Sequence, residues 1–93
     1  MNPQPEARIL TICNRRGLHA RSSAKFVKCA AEFDANVRVR RDGQEVSGVS
    51  IMGLLMLGAA QNCEIEVWAD GPQAIAALDA LDALVSSGFG EEN

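Results

Sequence analysis

Asn36-Val37-Arg38-Val39-Arg40-Arg41-Asp42-Gly43-Gln44-Glu45-Val46-Ser47-Gly48 is the stretch that decides the architecture. Polar and apolar residues alternate from Asn36 to Arg41 through Val37 and Val39, the period of a half-buried strand. Asp42-Gly43 supplies the residues of a tight hairpin turn, and Gln44 to Gly48 returns as the partner strand. The chain therefore contains at least one antiparallel pair.

Upstream, Arg8 to Cys13 is β-prone, with Leu10 and Ile12 recurring at period two. From Ala20 to about Phe33, Ser23, Phe26, Val27, Ala30 and Phe33 recur at steps of three and four, the mark of an amphipathic helix. Downstream, Ser50 is placed to cap a short helix over Ile51-Met52-Gly53-Leu54-Leu55-Met56-Leu57, which Gly58 closes. Glu64 to Ala69 alternates as a last strand. Asp70-Gly71-Pro72 then opens an Ala- and Leu-rich helix with Ile75, Leu78, Leu81 and Val85 on its expected buried side.

The order β-α-β-β-α-β-α has no internal repeat and no long linker, and it reads as an α/β (α+β) two-layer sandwich. Three helices suffice to cover one face of a four-stranded sheet and leave the other open to solvent. Residues 1–93 are expected to form a single domain with an ordered core over about 7–88. The polar tail 88–93, Gly88 to Asn93, lacks periodicity and is expected to fray.

Ninety-three residues, 47% of them hydrophobic, make a thin core that cannot enclose a large catalytic cavity. No apolar run approaches the ~20 residues of a membrane span, and the start Met1-Asn2-Pro3-Gln4-Pro5-Glu6 lacks the features of a signal peptide. A cytoplasmic protein with no membrane insertion, a monomer, is expected. Cys13, Cys29 and Cys63 form no close pair and read as small core residues, and one histidine without a nearby cysteine offers no metal site. No cofactor is expected.

The net charge of −3 conceals a strong polarisation. All nine Lys and Arg lie between Arg8 and Arg41, opposed up to that point only by Glu6, Glu32 and Asp34; nine acids and no base follow. A nucleic-acid-binding module would use such a basic half. The chain nevertheless holds four aromatic residues, no Tyr, and an acidic second half that would repel a nucleic-acid backbone.

The lone histidine, His19, stands in Asn14-Arg15-Arg16-Gly17-Leu18-His19-Ala20-Arg21-Ser22-Ser23, where the first strand ends and the first helix begins. Unpaired N–H groups and the positive end of a helix dipole would hold a negative group bonded to its ring. Arg21, Lys25 and Lys28, at i, i+4 and i+7, form one stripe from the same helix start. They read either as an ordinary solvated face or as a docking surface for an acidic partner.

Gly17-Leu18-His19-Ala20-Arg21, then Lys25-Phe26-Val27-Lys28, and later Val49-Ser50-Ile51-Met52-Gly53-Leu54 together resemble the HPr family of histidine-containing phosphocarriers, over nearly the whole chain. The resemblance implies an antiparallel sheet of strand order 1-4-2-3. It implies that His19 accepts a phosphoryl group on Nδ1 from enzyme I and passes it to an enzyme IIA-type protein of the phosphoenolpyruvate-dependent phosphotransferase system. The protein would then be a carrier with a phosphohistidine intermediate rather than a stand-alone enzyme. Arg21 would pair with the phosphoryl oxygens.

Ser50 matches the family's regulatory serine, a target of HPr kinase/phosphorylase in some branches, although a plain N-cap would explain it equally. Ile51, Met52, Leu55 and Met56, in a stretch without charge, are expected to leave an apolar patch for partners. The alternative is an HPr-like regulatory protein acting mainly by binding, against which the joint presence of His19 and Arg21 argues. Ser22 stands where the family often has proline, which either loosens the site or adds a phosphate ligand. Sugar-transport and nitrogen-related branches share the core motif.

Overall fold

Apolar residues at alternate positions build the sheet in the computed structural model, which describes residues 5–91. β1 (Glu6–Thr11) buries Leu10, β2 (Asn36–Arg41) buries Val37 and Val39, and β4 (Glu64–Asp70) buries Ile65, Val67 and Ala69. β3 (Gln44–Ser47) forms the edge beyond β2. All pairings are antiparallel and the order is β1-β4-β2-β3. The register sets Leu10 opposite Ile65 and Val39 opposite Val67, so the apolar sides of three strands share one face. Asp42 and Gly43 both have positive φ, 51° and 79°, the primed turn whose twist matches that of the flanking strands.

Three helices cover that face: α1 (Ala20–Ala31), α2 (Ile51–Met56) and α3 (Ala74–Ser86). Phe26 and Ala30 of α1, Leu54 of α2, and Leu78, Leu81 and Val85 of α3 join the strand residues in one core. Burying each of the larger side chains contributes about 1.5–3 kcal/mol relative to exposure. At the sheet edge Arg8 of β1 reaches Asp79 of α3 at 2.6 Å and Asp82 at 3.5 Å. Arg38, Arg40, Glu66 and Trp68 lie on the other face, with the Arg40 guanidinium 5.6 Å from the centre of the Trp68 ring. Among the described residues no helix is long and apolar enough to cross a membrane.

Several details depart from the sequence-based expectations. β1 starts at Glu6 and ends at Thr11, although Ile12 stays fully buried and donates its N–H to Cys63 O at 2.8 Å. The inward alternation of Leu10 and Ile12 turns Cys13 outward, so it is exposed and not a core residue. α1 ends at Ala31, short of Phe33. In α3 the buried stripe is Ala74, Ala77, Leu78, Leu81 and Val85. Ile75, one step of about 100° around the helix from Ala74, is 49% exposed instead of buried.

The expected fraying of the tail also fails for the part described. Gly88–Gly90 forms a single 3-10 turn and Phe89 is only 1% exposed, because the aromatic ring completes the core beneath the end of α3. Residues 92 and 93 lie outside the described residues.

Candidate functional site

β1 delivers the chain to Asn14, which is fully buried and donates Nδ2–H to Gly17 O at 2.9 Å, closing a tight loop. Gly17 has a φ of +66°, and a Cβ there would stand 2.4 Å from Ala59 O. Only glycine fits so close to that backbone. The buried Leu18 donates its N–H to the same Ala59 carbonyl at 2.9 Å, and the loop then presents His19 as the N-cap of α1.

His19 is extended, with φ −116° and ψ −175°, and its main-chain N–H donates to Ser22 Oγ at 2.9 Å. The Ser22 hydroxyl in turn donates to Gly17 O at 2.9 Å. Ser22 is fully buried, so its hydroxyl is committed within the loop rather than offered to a phosphate. It tightens the loop, whereas a proline could accept no bond from His19.

The two imidazole nitrogens face different partners. Nδ1 accepts the Arg21 main-chain N–H at 3.3 Å, and Nε2 lies 2.5 Å from Glu91 Oε2. The other carboxylate oxygen of Glu91 accepts from Asn14 Nδ2 at 2.9 Å. Burial alone would raise the Glu91 carboxyl, but hydrogen bonds from Asn14 and His19 and the charges of His19 and Lys25 hold it below its ordinary range. An ionised carboxylate only accepts, so the hydrogen-bond pattern assigns the proton to Nε2 and leaves the Nδ1 lone pair at the helix N-terminus.

Beside the ring a polar cleft of about 290 Å³ is lined by Arg16, Arg21, Lys25, Gly90 and Glu91. Arg21 is one of the three cations that line it. Lys25 is not a free docking charge, for its ammonium donates to Phe89 O at 2.7 Å, and Lys28 is exposed but lines no part of the cleft. Asn14, Arg16, Phe89 and Glu91 were not read as site residues from the sequence. The one available signal was Phe89, an aromatic in an otherwise polar tail.

Ser50 caps α2 as expected, its Oγ accepting the Gly53 N–H at 3.0 Å. Leu54 is buried, whereas Ile51, Met52 and Met56 are exposed at 40%, 68% and 70% and Leu55 is half-buried. With only six residues, α2 cannot turn all its apolar side chains inward. The patch therefore stands at the surface next to the Ser50 cap.

A family model described as the phosphotransferase-system HPr component phosphorylation site matches residues 7–87. The phosphocarrier protein HPr of Cupriavidus necator is 44% identical over 81 residues, covering 87% of this chain and 91% of that protein. The phosphocarrier protein NPr of Shewanella violacea is 43% identical over 84 residues, 90% of this chain and 92% of that protein. Among solved structures, HPr-C-His from Thermoanaerobacter tengcongensis superimposes with a TM-score of 0.90 at 38% identity, covering 95% of this chain and 99% of the other.

Proposed function

This chain belongs to the HPr phosphocarrier family of the phosphotransferase system, and on that premise we propose that His19 accepts a phosphoryl group on Nδ1 and hands it on. The donor is enzyme I and the acceptor an enzyme IIA-type protein. The observation that carries the reading is the division of the ring's bonds: Nε2 is occupied by Glu91, while Nδ1 keeps its lone pair at the start of α1.

Phosphoryl transfer asks a protein mainly to hold donor, acceptor and charge in line. On Nδ1 the group would meet the Arg21 N–H, the end of the α1 dipole and the cations of Arg21, Arg16 and Lys25. No large cavity is required. Ile51, Met52, Leu55 and Met56 offer partners an apolar contact, and Lys28 adds an exposed positive charge in the last turn of α1.

Ser50 provides a second phosphate site, for HPr kinase/phosphorylase. A phosphate there would remain at a helix N-terminus but would set about two negative charges beside Met52 and weaken apolar docking. The carrier reading is tested by incubation with enzyme I and labelled phosphoenolpyruvate. Label that is lost in acid, survives alkali and is absent from His19→Ala supports it; full labelling of His19→Ala overturns it.

A further inference from the structure

Resting on the assignment of His19 as phosphoacceptor, we propose that Glu91, held by Asn14, is a positioning residue for the transfer. Its carboxylate keeps the proton on Nε2 and balances the charge that the ring acquires while Nδ1 carries phosphorus.

The chemistry sets the requirement. As the Nδ1 lone pair forms the N–P bond, the donor's bond to phosphorus breaks and its electron pair leaves with the donor. No proton moves. The ring, protonated at Nε2, becomes a cation. On onward transfer the acceptor's nucleophile forms its own bond to phosphorus as the N–P bond breaks, the pair returns to Nδ1 and a neutral imidazole departs. Without the Nε2 proton the departing group would be an imidazolate, a far poorer leaving group.

The surroundings would otherwise oppose that cation. Arg16, Arg21 and Lys25 line the adjoining cleft, and the positive end of the α1 dipole lies at the same ring. Glu91 is the acid that lines the cleft with them, and its Oε2 is 2.5 Å from Nε2. It offsets the three cations at the atom that must keep its proton.

Asn14 fixes the carboxylate. One amide group donates to both Gly17 O and Glu91 Oε1, each at 2.9 Å, which joins the loop carrying His19 to the segment following α3. Asn14 Oδ1 is buried without a partner. Turning the amide over would satisfy neither acceptor, so the fold forgoes one hydrogen bond and keeps both N–H groups aimed. Further along, Lys25 and the buried Phe89 hold the same segment down.

The decisive comparison is between the parent chain, Glu91→Gln and Glu91→Asp, each labelled by enzyme I and phosphoenolpyruvate. Transfer to an enzyme IIA acceptor is followed across pH, alongside 15N spectra of the His19 ring. Losing the carboxylate should move the alkaline limb of the transfer profile about one unit toward acid, and slow transfer there by about tenfold, the equivalent of one pH unit of differential charge stabilisation. The Nε2-protonated signal should also weaken, with Glu91→Asp recovering part of both effects. A merely structural contact would lower the melting midpoint and leave the profile in place. A parent chain that takes no label at His19 overturns the phosphoacceptor assignment itself. A labelled parent whose profile and ring signals coincide with those of Glu91→Gln overturns only the role given to Glu91.

Discussion

Lys25 of α1 donates its ammonium to the main-chain carbonyl of Phe89 at 2.7 Å, so the helix that begins at His19 is tied to the segment that returns to it from the far end of the chain. Phe89 is the anchor of that tie, since its ring is all but fully buried against the core. Phe89→Ala should lower stability by about 3–5 kcal/mol and release Glu91 from His19. Lys25→Met, which loses one hydrogen bond and keeps the apolar stem, should cost about 1 kcal/mol. Urea unfolding of both variants measures the difference, and equal midpoints would show that Phe89 does not anchor the segment.

The features legible in the sequence are those with a local cause. Alternation at Val37 and Val39, the Asp42-Gly43 turn and the Ser50 cap each depend on residues within a few positions, and each stands in the structure where expected. The position of His19 at the start of α1 was legible for the same reason. The Glu91 contact spans 72 residues and leaves no periodic trace, so a polar, glycine-flanked tail was read as fraying. Ile75 and Cys13 show the same limit at smaller scale. Their hydrophobicity was visible, but their direction depended on where α3 and the inward side of β1 were set by packing.

Ser22 tests how far the loop depends on a single hydroxyl. Fully buried itself, it accepts from His19 N–H and donates to Gly17 O. Ser22→Ala would leave both groups without that partner, at a cost of about 1–3 kcal/mol. Thermal unfolding should show the loss, and amide exchange at His19 should accelerate more than exchange in β4. Unchanged exchange at His19 would show that the hydroxyl does not hold the loop.

Acid should weaken the fold through two carboxylates. Hydrogen bonds from Arg40 and Arg38, aided by their charges, hold the Glu45 carboxyl below its ordinary range despite some desolvation. Glu91 is likewise lowered, its own desolvation outweighed by Asn14, His19 and Lys25. A carboxyl depressed in the folded state contributes stability that is fully present above its unfolded value of about 4.3 and is lost as pH falls through the folded value. Unfolding midpoints should therefore decline below about pH 4.5. Glu45→Gln and Glu91→Gln should each flatten that decline, and the double variant should flatten it further, because the two sites share no partner. A slope identical in all four proteins would show that neither carboxylate is linked to folding.

Ser50 separates a structural role from a regulatory one. Its Oγ caps α2 through the Gly53 N–H at 3.0 Å, so Ser50→Ala should cost about 1 kcal/mol in thermal unfolding. Ser50→Asp retains a capping oxygen and adds negative charge at a helix N-terminus, so its stability should match or exceed that of the parent. Partner binding should divide the two variants in the opposite sense. Met52 and Met56 are exposed alongside the cap, and the introduced carboxylate must lose water if a partner covers them. Ser50→Asp should accordingly bind enzyme I several-fold more weakly in calorimetric titration, while Ser50→Ala binds as the parent does. If instead the stable Ser50→Asp protein binds with undiminished affinity, the apolar face of α2 is not the surface that partners cover, and phosphate at Ser50 would have no purchase on transfer through His19.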